Sequence, residues 1–552
     1  MDAQGNVQTG VAATWWASGD FSVRPGCVVE PLIDGRAALY AMAVAFLSAR
    51  QYILLAGWDF SADLPMIRGD DLRIGDENRA EHDRFVRVLR EQGLDDEAIA
   101  LWDADQLRVV DVLGFAARRG VKVGVLLWDS LHVLSHLTND PTKQRDLLAQ
   151  AGVDCLLDDS SRRLRHITQS LHQKCCVVDG RLAFVGGIDL TVQEGGDYDR
   201  WDIHQHPYAS PERASHIAAA THPWHDVHTR LQGPVVADVL RNIVQRWAAV
   251  AERHDAPRWP LELPLNGPAP LARGTPAQIA RTIPPQTYPW APDGIATIKD
   301  IYLRALGRAE RYVYLENQYL WPEAFLGLDA LHWGPPSPDM QELLEAMAQA
   351  VGRGVHLALL LPDHPNTGRR FTDGGIEWLR QRAAQARAAS RLHVYTLGSA
   401  MAGEAMSGSV LYRPVYTHAK VAIVDDVWWT AGSANLNSRG MHSDAEINVA
   451  ALDPPAAREL RLRLWHEHLR REGAPLPDVD DPLGGLALLD RAATENERRV
   501  VGHALLAGHL LPYLTEVEGR RRGIPVHGEH GWLDNLPGSA GPLKPEHAGR
   551  YL

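Results

Sequence analysis

The amino-acid sequence predicts an α/β protein made of two similar halves, each a mixed sheet flanked by helices, with the active site at the interface between them. The main observation is an internal repeat of apolar, strand-like runs that recur in the same order and at similar separations. Strands that alternate with helices favour a parallel or mixed sheet covered by helices on both faces. The matched segments are ARQYILLAGWDF and AERYVYLENQYL, RGVKVGVLLWD and RGVHLALLLPD, and HQKCCVVDGRLAFVGGIDL and HAKVAIVDDVWWTAGSANL.

Each matched pair predicts the same local structure in both halves. The first pair, near residues 49 and 309, has a helix-like approach and then a β-branched and aromatic run typical of a buried strand. In the second pair, at 119–129 and 353–363, Arg-Gly closes a helix before a strand that ends in Asp or near it. The third pair, beginning at 172 and 418, predicts a strand that runs into a glycine turn.

Changes in composition suggest the domain boundaries. We expect a first half over residues 20–255, a proline-rich connector over 256–290 and a second half over 291–475. Residues 476–552 form a C-terminal extension to which the sequence assigns no role. A monomer is expected because one chain carries both halves.

Charge and cysteine content narrow the function classes. The formal net charge is −13, which disfavours nucleic acid as a partner because such binders usually carry basic surface. The four cysteines are too scattered for a disulfide framework or a Cys-x-x-Cys metal site, so we interpret Cys175 and Cys176 as small buried residues.

The N-terminal sequence MDAQGNVQTG has neither a basic nor an apolar segment of the kind that a secretory signal needs. No apolar run reaches the roughly 18 residues that span a bilayer. We therefore expect a protein that is cytoplasmic as synthesised, with export by a specialised secretion route as the alternative.

Two His-x-Lys motifs carry the chemical prediction. Alternation along an extended chain places His172 beside Lys174, and His418 beside Lys420, on one face. The aspartates that complete each HxKxxxxD motif, Asp179 and Asp425, belong to the candidate catalytic set but fall on the opposite face, as structural anchors.

Two facing copies of the motif suit a phosphodiester. The lysines neutralise the phosphate oxygens, one histidine attacks phosphorus, and the other protonates the leaving alkoxide. No metal or other cofactor is expected, because lysine supplies the positive charge.

These motifs resemble those of the phospholipase D superfamily, and within it the eukaryotic-like phospholipases D without accessory lipid-binding domains. The resemblance extends over about residues 30–470 and includes LHQKCCVVDGRLAFVGGIDL, DRWDIHQHP, PWHDVHTRLQGP, YLENQYL and THAKVAIVDDVWWTAGSANLNSRGMHSDAEI. It implies hydrolysis of glycerophospholipids to phosphatidic acid and a free headgroup alcohol, with transphosphatidylation when an alcohol replaces water.

The resemblance also implies a role for each site residue. His172 is the nucleophile that forms a phosphohistidine, and His418 is the general acid and then the general base. Lys174, Lys420 and Asn435 contact the phosphate, with Ser433 nearby. Asp189, which occupies the position of Asn435 in the first half, has a positioning role. Asp202 and Glu446 orient the two histidines. Gly440 stands where the family usually has serine.

Several alternatives remain open at this stage. The histidines His222, His225 and His228 allow a zinc site, or else are structural. The aromatic stretch 320–340, with Trp321, Phe325, Leu326, Leu331 and Trp333, either dips into lipid headgroups or packs against the protein.

The function also has competing interpretations. The expected partner is a phospholipid, preferably zwitterionic, that the protein meets at a membrane surface. A phosphatidyltransferase of the cardiolipin-synthase type and a nuclease are the enzymatic alternatives. A catalytically silent lipid-binding module is the non-enzymatic one.

Overall fold

The structure is a computed structural model. It describes residues 15–72, 79–129, 139–162, 169–192, 223–259, 267–324, 336–363, 368–403, 410–471, 473–526 and 531–533.

The first half contains a mixed sheet with the strand order β4-β3-β2-β5-β6-β8-β1. β2, β3 and β4 run parallel to one another, and the remaining pairs are antiparallel. Its strands are β1 (Arg24–Ile33), β2 (Tyr52–Gly57), β3 (Lys122–Trp128), β4 (Asp154–Asp158), β5 (Cys175–Val178), β6 (Leu182–Gly186) and β8 (Val227–Gln232), with β7 (Trp224–His225) outside this sheet.

The second half repeats this topology strand by strand, in the order β13-β12-β11-β15-β16-β17-β9. The register repeats too: Ala56 lies opposite Cys175, and Glu316 lies opposite Val421. The predicted duplication is therefore confirmed. The strands are β9 (Thr275–Ile283), β10 (Ile295–Ala296), β11 (Tyr312–Glu316), β12 (His356–Leu360), β13 (Leu392–Ala402), β14 (Val410–Thr417), β15 (Val421–Val424), β16 (Trp428–Gly432) and β17 (Glu446–Leu452).

Apolar side chains cover both faces of each sheet, as the continuous apolar runs predict. On β2, Ile53 and Leu55 join the core under the outer helices, whereas Leu54 and Ala56 join a core shared by the two halves. The helices are Asp34–Leu47, Arg79–Glu91, Asp96–Asp103, Val109–Arg118, Pro141–Gln150, Val236–Arg253, Thr297–Arg308, Pro338–Arg353, Arg369–Gln385, Pro454–Leu469, Pro482–Val501 and Glu516–Arg522, with short 3₁₀ turns at Gly69–Asp71 and Ala389–Arg391 and a π turn at Arg439–Ser443.

The connector predicted over 256–290 needs a correction. It contains β9, which pairs with β17 along most of its length and so belongs to the sheet of the second half. β9 also pairs with β1 of the first half, and this pairing joins the two sheets. Prolines lie on both sides of the strand and Pro276 lies near its start, and together they hid the strand from composition-based reasoning.

The C-terminal extension is part of the second half. Its strand β18 (Leu510–Pro512) pairs with β13, and Asn496 in helix Pro482–Val501 donates to the carbonyl oxygen of Leu510. Among the described residues, no helix has both the length and the apolar composition needed to cross a bilayer.

Candidate active site

Both His-x-Lys motifs lie where the chain enters a central strand, β5 in the first half and β15 in the second. Lys174 Nζ donates to the carbonyl oxygen of His172 at 2.9 Å, and Lys420 Nζ makes the same bond to His418. Both lysines are buried. Burying two ammonium groups is costly unless they meet negative charge or polar partners. Lys174 has Asp189 as a partner, and Lys420 donates to Oε1 of Gln318 at 3.1 Å. Both ammonium groups also lie near enough to Glu446 to act on its pKa, so together they can face one anion.

Each histidine is oriented by a carboxylate from the opposite half. His172 Nδ1 lies 2.9 and 3.1 Å from the two carboxylate oxygens of Glu446, which begins β17. His418 Nδ1 lies 2.6 Å from Oδ2 of Asp226, which immediately precedes β8. A donated Nδ1–H puts the lone pair of each ring on Nε2, the tautomer that a nucleophile or general base needs. This crossing ties both motifs into one site.

The carboxylate that contacts His418 Nδ1 is Asp226, a residue that the sequence analysis did not assign to the site. Asp202 lies outside the described residues, so its expected orienting role stays a prediction. The strand register identifies Asp226 as the counterpart of Glu446, because Gly186 pairs with His228 as Gly432 pairs with Asn448. The PWHDVH segment contained this residue, and an alignment of the repeat at β8 and β17 would have found it.

Small residues make room for these carboxylates. Ser433 Oγ donates to Glu446, so Ser433 positions the carboxylate that holds His172. At the equivalent position of the first half stands Gly187, where an added Cβ would lie 2.1 Å from Oδ1 of Asp226. Burial and the neighbouring Asp444 raise the pKa of Glu446 well above its usual value, whereas Lys174 and Lys420 both act to lower it. The positive charges of both lysines therefore act on Glu446.

Asn435 and Asp189 occupy equivalent places in the two halves. The buried Oδ1 of Asn435 accepts no hydrogen bond from any described residue. Asp189 Oδ2 instead lies 3.2 Å from Lys174 Nζ, and its Oδ1 accepts from the backbone of Trp58 and Asp59. Asp189 thus pairs with Lys174, and its expected positioning role stays a prediction.

Gly440 faces Asn435 from the other side. A Cβ at this position would lie 2.2 Å from the carbonyl oxygen of Asn435, so this turn has no room for the serine that the family usually has. Thr282 Oγ1 donates to the carbonyl oxygen of Gly440 and fixes the turn.

The aspartates of both HxKxxxxD motifs lie behind the site. Asp179 accepts hydrogen bonds from the backbone N–H groups of residues 50, 51 and 52, at 2.7 to 3.0 Å. Asp425 accepts the equivalent bonds from residues 310, 311 and 312. Both sit in the left-handed region, with φ of 51° and 55°. They anchor the strands beside the motifs.

His225 is clamped between the two halves. Its Nδ1 lies 3.1 Å from Asp34 and its Nε2 lies 2.9 Å from Glu316. Although burial alone would lower it, Glu316 and Asp34 raise the pKa of His225 well above its usual value. The carbonyl oxygen of His225 accepts from the backbone N–H of His418 at 2.8 Å, so the clamp fixes the segment that carries Asp226 against the motif that it serves.

This clamp bears on the zinc alternative. Within the described part of the chain, the side chains that could share a metal are His225, Glu316 and His468, or Asp34, His225 and Glu467. His228 belongs to neither group: burial, and then Lys174, lower its pKa to about 3. His222 lies outside the described residues. The ion pairs already account for His225, so the structural interpretation is the better one.

Aromatic rings flank both histidines, a feature that the sequence motifs did not reveal. The ring centroid of Trp58 lies 5.4 Å from that of His172, and the centroid of Trp224 lies 4.6 Å from that of His418. In the 320–340 stretch, Trp321 is buried against Tyr319 and Phe371, which favours packing over lipid contact for this residue. Phe325, Leu326, Leu331 and Trp333 lie outside the described residues.

The arrangement defines a two-histidine, two-lysine site that both halves of a duplicated chain complete. Comparison with known proteins agrees with this class. Residues 100–263 match the family model described as "Phospholipase D", and residues 302–467 match "Cardiolipin synthase, PLD-like domain". The chain belongs to the phospholipase D superfamily.

Individual relatives are distant. "Phospholipase D alpha 1" of Carica papaya is 24% identical over 77% of this chain, and the match spans 63% of the relative. "Phospholipase D alpha 3" of Arabidopsis thaliana gives 24% identity, with 77% and 62% of the two chains covered. The solved structure of phosphatidylserine synthase from Haemophilus influenzae covers 86% of this chain and 95% of its own, with a TM-score of 0.47 and 12% identity.

Proposed function

We propose that the protein is a phospholipase D-type phosphodiesterase that converts glycerophospholipids to phosphatidic acid and a free headgroup alcohol. The observation that carries this proposal is the crossed pair of carboxylates, Glu446 on His172 and Asp226 on His418. Two oriented imidazoles beside two buried ammonium groups are what an in-line displacement at a phosphodiester requires.

The first step forms a covalent intermediate. Nε2 of His172 attacks phosphorus while the bond from phosphorus to the headgroup oxygen breaks, and His418 gives that oxygen its proton. Lys174, Lys420 and Asn435 hold the non-bridging oxygens. The Nδ1–H of His172 stays on Glu446 and stabilises the positive charge that develops on the ring.

The second step reverses the role of His418. A water molecule attacks phosphorus, His418 takes a proton from it, and the bond from phosphorus to His172 breaks to release phosphatidic acid. A primary alcohol in place of water gives transphosphatidylation by the same route. The substrate would be met at a membrane surface, with a zwitterionic lipid preferred because the chain carries a net charge of −13.

A phosphatidyltransferase is the second candidate, and the cardiolipin-synthase description of the model matched by residues 302–467 favours it. The two functions differ in the acceptor, water or a lipid alcohol. The nuclease alternative has the acidic balance of the chain against it.

The test uses vesicles of mixed phospholipids, with and without ethanol, analysed by mass spectrometry. The proposal predicts phosphatidic acid without ethanol and phosphatidylethanol with it, and neither product with His172→Ala. Cardiolipin as the main product would support the phosphatidyltransferase instead. Intact lipids with a vesicle-bound protein would point to a silent binding module and overturn the proposal.

A further inference from the structure

Asp189 places a negative charge inside the phosphate site. Its Oδ2 lies 3.2 Å from Lys174 Nζ, and the side chains of the pair are 0% and 2% exposed. Its Oδ1 accepts from the backbone N–H groups of Trp58 at 3.3 Å and Asp59 at 3.4 Å. These bonds fix the carboxylate against the lysine. An ionised carboxylate cannot donate to a phosphate oxygen, so its contribution here is charge.

The equivalent position of the second half carries no charge. Asn435 follows His418 at the same distance as Asp189 follows His172. An amide can donate to a phosphate oxygen, whereas a carboxylate repels it. The repeat therefore gives two pseudo-equivalent lysine sites of different charge: Lys174 has a carboxylate beside it where the second half has an amide.

This difference matters because substrate and product differ in charge. A phosphodiester carries one negative charge, whereas a phosphomonoester approaches two at neutral pH, since its second pKa is about 6. In a buried site, screening is weak and attraction grows with the product of the charges. Two uncompensated lysines would therefore hold the monoester product more tightly than the diester substrate.

We propose that Asp189 is a specificity-determining residue that offsets the charge of Lys174, so that the site prefers the monoanionic phosphodiester and releases the more highly charged phosphomonoester. This inference rests on the proposed function, because it takes phosphatidic acid as the product. A purely structural role for Asp189 would involve only its bonds to the backbone of residues 58 and 59, and Asn at this position can keep those bonds through its own oxygen.

The test compares Asp189→Asn with the wild type by calorimetric titration at pH 8, using two probes. Inorganic phosphate represents the dianion and dimethyl phosphate the monoanion. The ratio of their affinities should shift toward inorganic phosphate by about tenfold or more in D189N, since the positive charge of Lys174 is no longer offset by a carboxylate. A ratio within twofold of the wild type, or a shift toward dimethyl phosphate, would overturn the inference.

Asp59→Asn is the matched control. The side chain of Asp59, a neighbouring buried carboxyl, accepts hydrogen bonds from Thr191, Asn139 and the N–H of Phe60. Burial, and then repulsion from Asp189, raise the pKa of Asp59 to about 6. D59N therefore removes a nearby negative charge but leaves the pair of Lys174 and Asp189 intact, so its shift in the affinity ratio should be clearly smaller than that of D189N. A shift as large as that of D189N would mean that any nearby carboxyl produces the effect, and it would contradict the specific role.

The reverse substitution covers a failure of D189N to fold. Asn435→Asp adds a carboxylate to the second half and should shift the affinity ratio toward dimethyl phosphate by about tenfold or more, because the added charge repels a dianion more strongly than a monoanion. An unchanged affinity ratio in N435D would also overturn the inference. Binding of both probes requires no lipid hydrolysis. A wild-type protein that binds them but leaves lipids intact therefore refutes the proposed function alone, and an active enzyme with an unchanged ratio in D189N refutes this inference alone.

Discussion

Asp226→Asn tests the crossed geometry most sharply. Oδ1 of Asp226 accepts from the N–H of Val227 at 2.8 Å, and Oδ2 faces His418 Nδ1 at 2.6 Å. In the variant, the amide oxygen keeps the bond to Val227, and the NH₂ group turns toward His418. The ring must then accept at Nδ1 and carry its proton on Nε2. A ring that carries its proton on Nε2 cannot act as a base there. When His418 is protonated, its Nδ1–H would face the NH₂ group of the variant, which is also a donor.

The size of the effect follows from these contacts. A hydrogen bond to a charged group contributes about 1.5–3 kcal/mol, which corresponds to about 10- to 150-fold in rate. The reversed tautomer adds to this loss, and the same change in the serine-protease triad costs about 10⁴-fold. We expect kcat on phosphatidylcholine to fall by about 10²- to 10⁴-fold. KM should change little, because the bond stabilises a transition state rather than the bound lipid.

The leaving group provides the decisive assay. Departure of 4-nitrophenolate needs no proton, so D226N should still give a rapid burst of nitrophenol from bis(4-nitrophenyl) phosphate, followed by slow turnover. With phosphatidylcholine, the first step should be slow too, because the departing choline oxygen needs a proton from His418. Equal losses with both substrates would refute the assignment of Asp226 to the acid. A large loss in Asp202→Asn together with normal activity in D226N would show that the orienting carboxylate is Asp202.

The remaining predictions concern the frame of the site. Asp179→Ala removes three backbone caps outside the pocket, so Tm should fall while kcat of the folded enzyme stays within about tenfold, and a total loss of kcat at full Tm would contradict the anchor role. Gly440→Ala should lower both Tm and kcat because its Cβ meets the backbone of Asn435, whereas Gly307→Ala, with open space around it in a helix, should stabilise the fold by up to about 1 kcal/mol in denaturant titrations. His225→Ala should lower the free energy of unfolding by about 3–5 kcal/mol, because it removes the positive charge between the buried carboxylates of Asp34 and Glu316, and a loss below 1 kcal/mol would refute the clamp. Although burial alone would raise it, His225 holds the pKa of Glu316 at about 2 instead of 4.5, so this ionised group stabilises the fold above pH 4.5. The stability advantage of the wild type over Glu316→Gln should therefore shrink as the pH falls from 4.5 toward 2.

The sequence was sufficient wherever local pattern and repetition determine the structure. Alternation predicted each histidine beside its lysine and turned Asp179 and Asp425 away, and in the structure both aspartates accept hydrogen bonds from the backbone of a neighbouring strand. The repeat predicted two halves of one topology, because apolar strands in the same order bury the same faces.

What the sequence could not predict depends on contacts between distant segments. Asp226 reaches His418 only because β7 of the first half pairs with β14 of the second, and no local pattern indicates which strands will meet. β9 escaped prediction because the prolines around it, and Pro276 within it, suggested a linker. The roles of Ser433 and Gly187 depend on which carboxylate the adjacent strand of the same half places beside them, and the local sequence pattern does not determine that strand register.

Mapping the covalent adduct tests the central claim most directly: both halves complete one site whose histidines have unequal roles. In His418→Ala, bis(4-nitrophenyl) phosphate should still phosphorylate the nucleophile, and the adduct should accumulate because no base activates water. After an alkaline quench and proteolysis, mass spectrometry should find the nitrophenylphosphoryl group on the peptide that contains His172, and none in the variant that also carries His172→Ala. An adduct on the peptide that contains His418 in the wild-type enzyme, or a nitrophenol burst without any adduct, would contradict the claim.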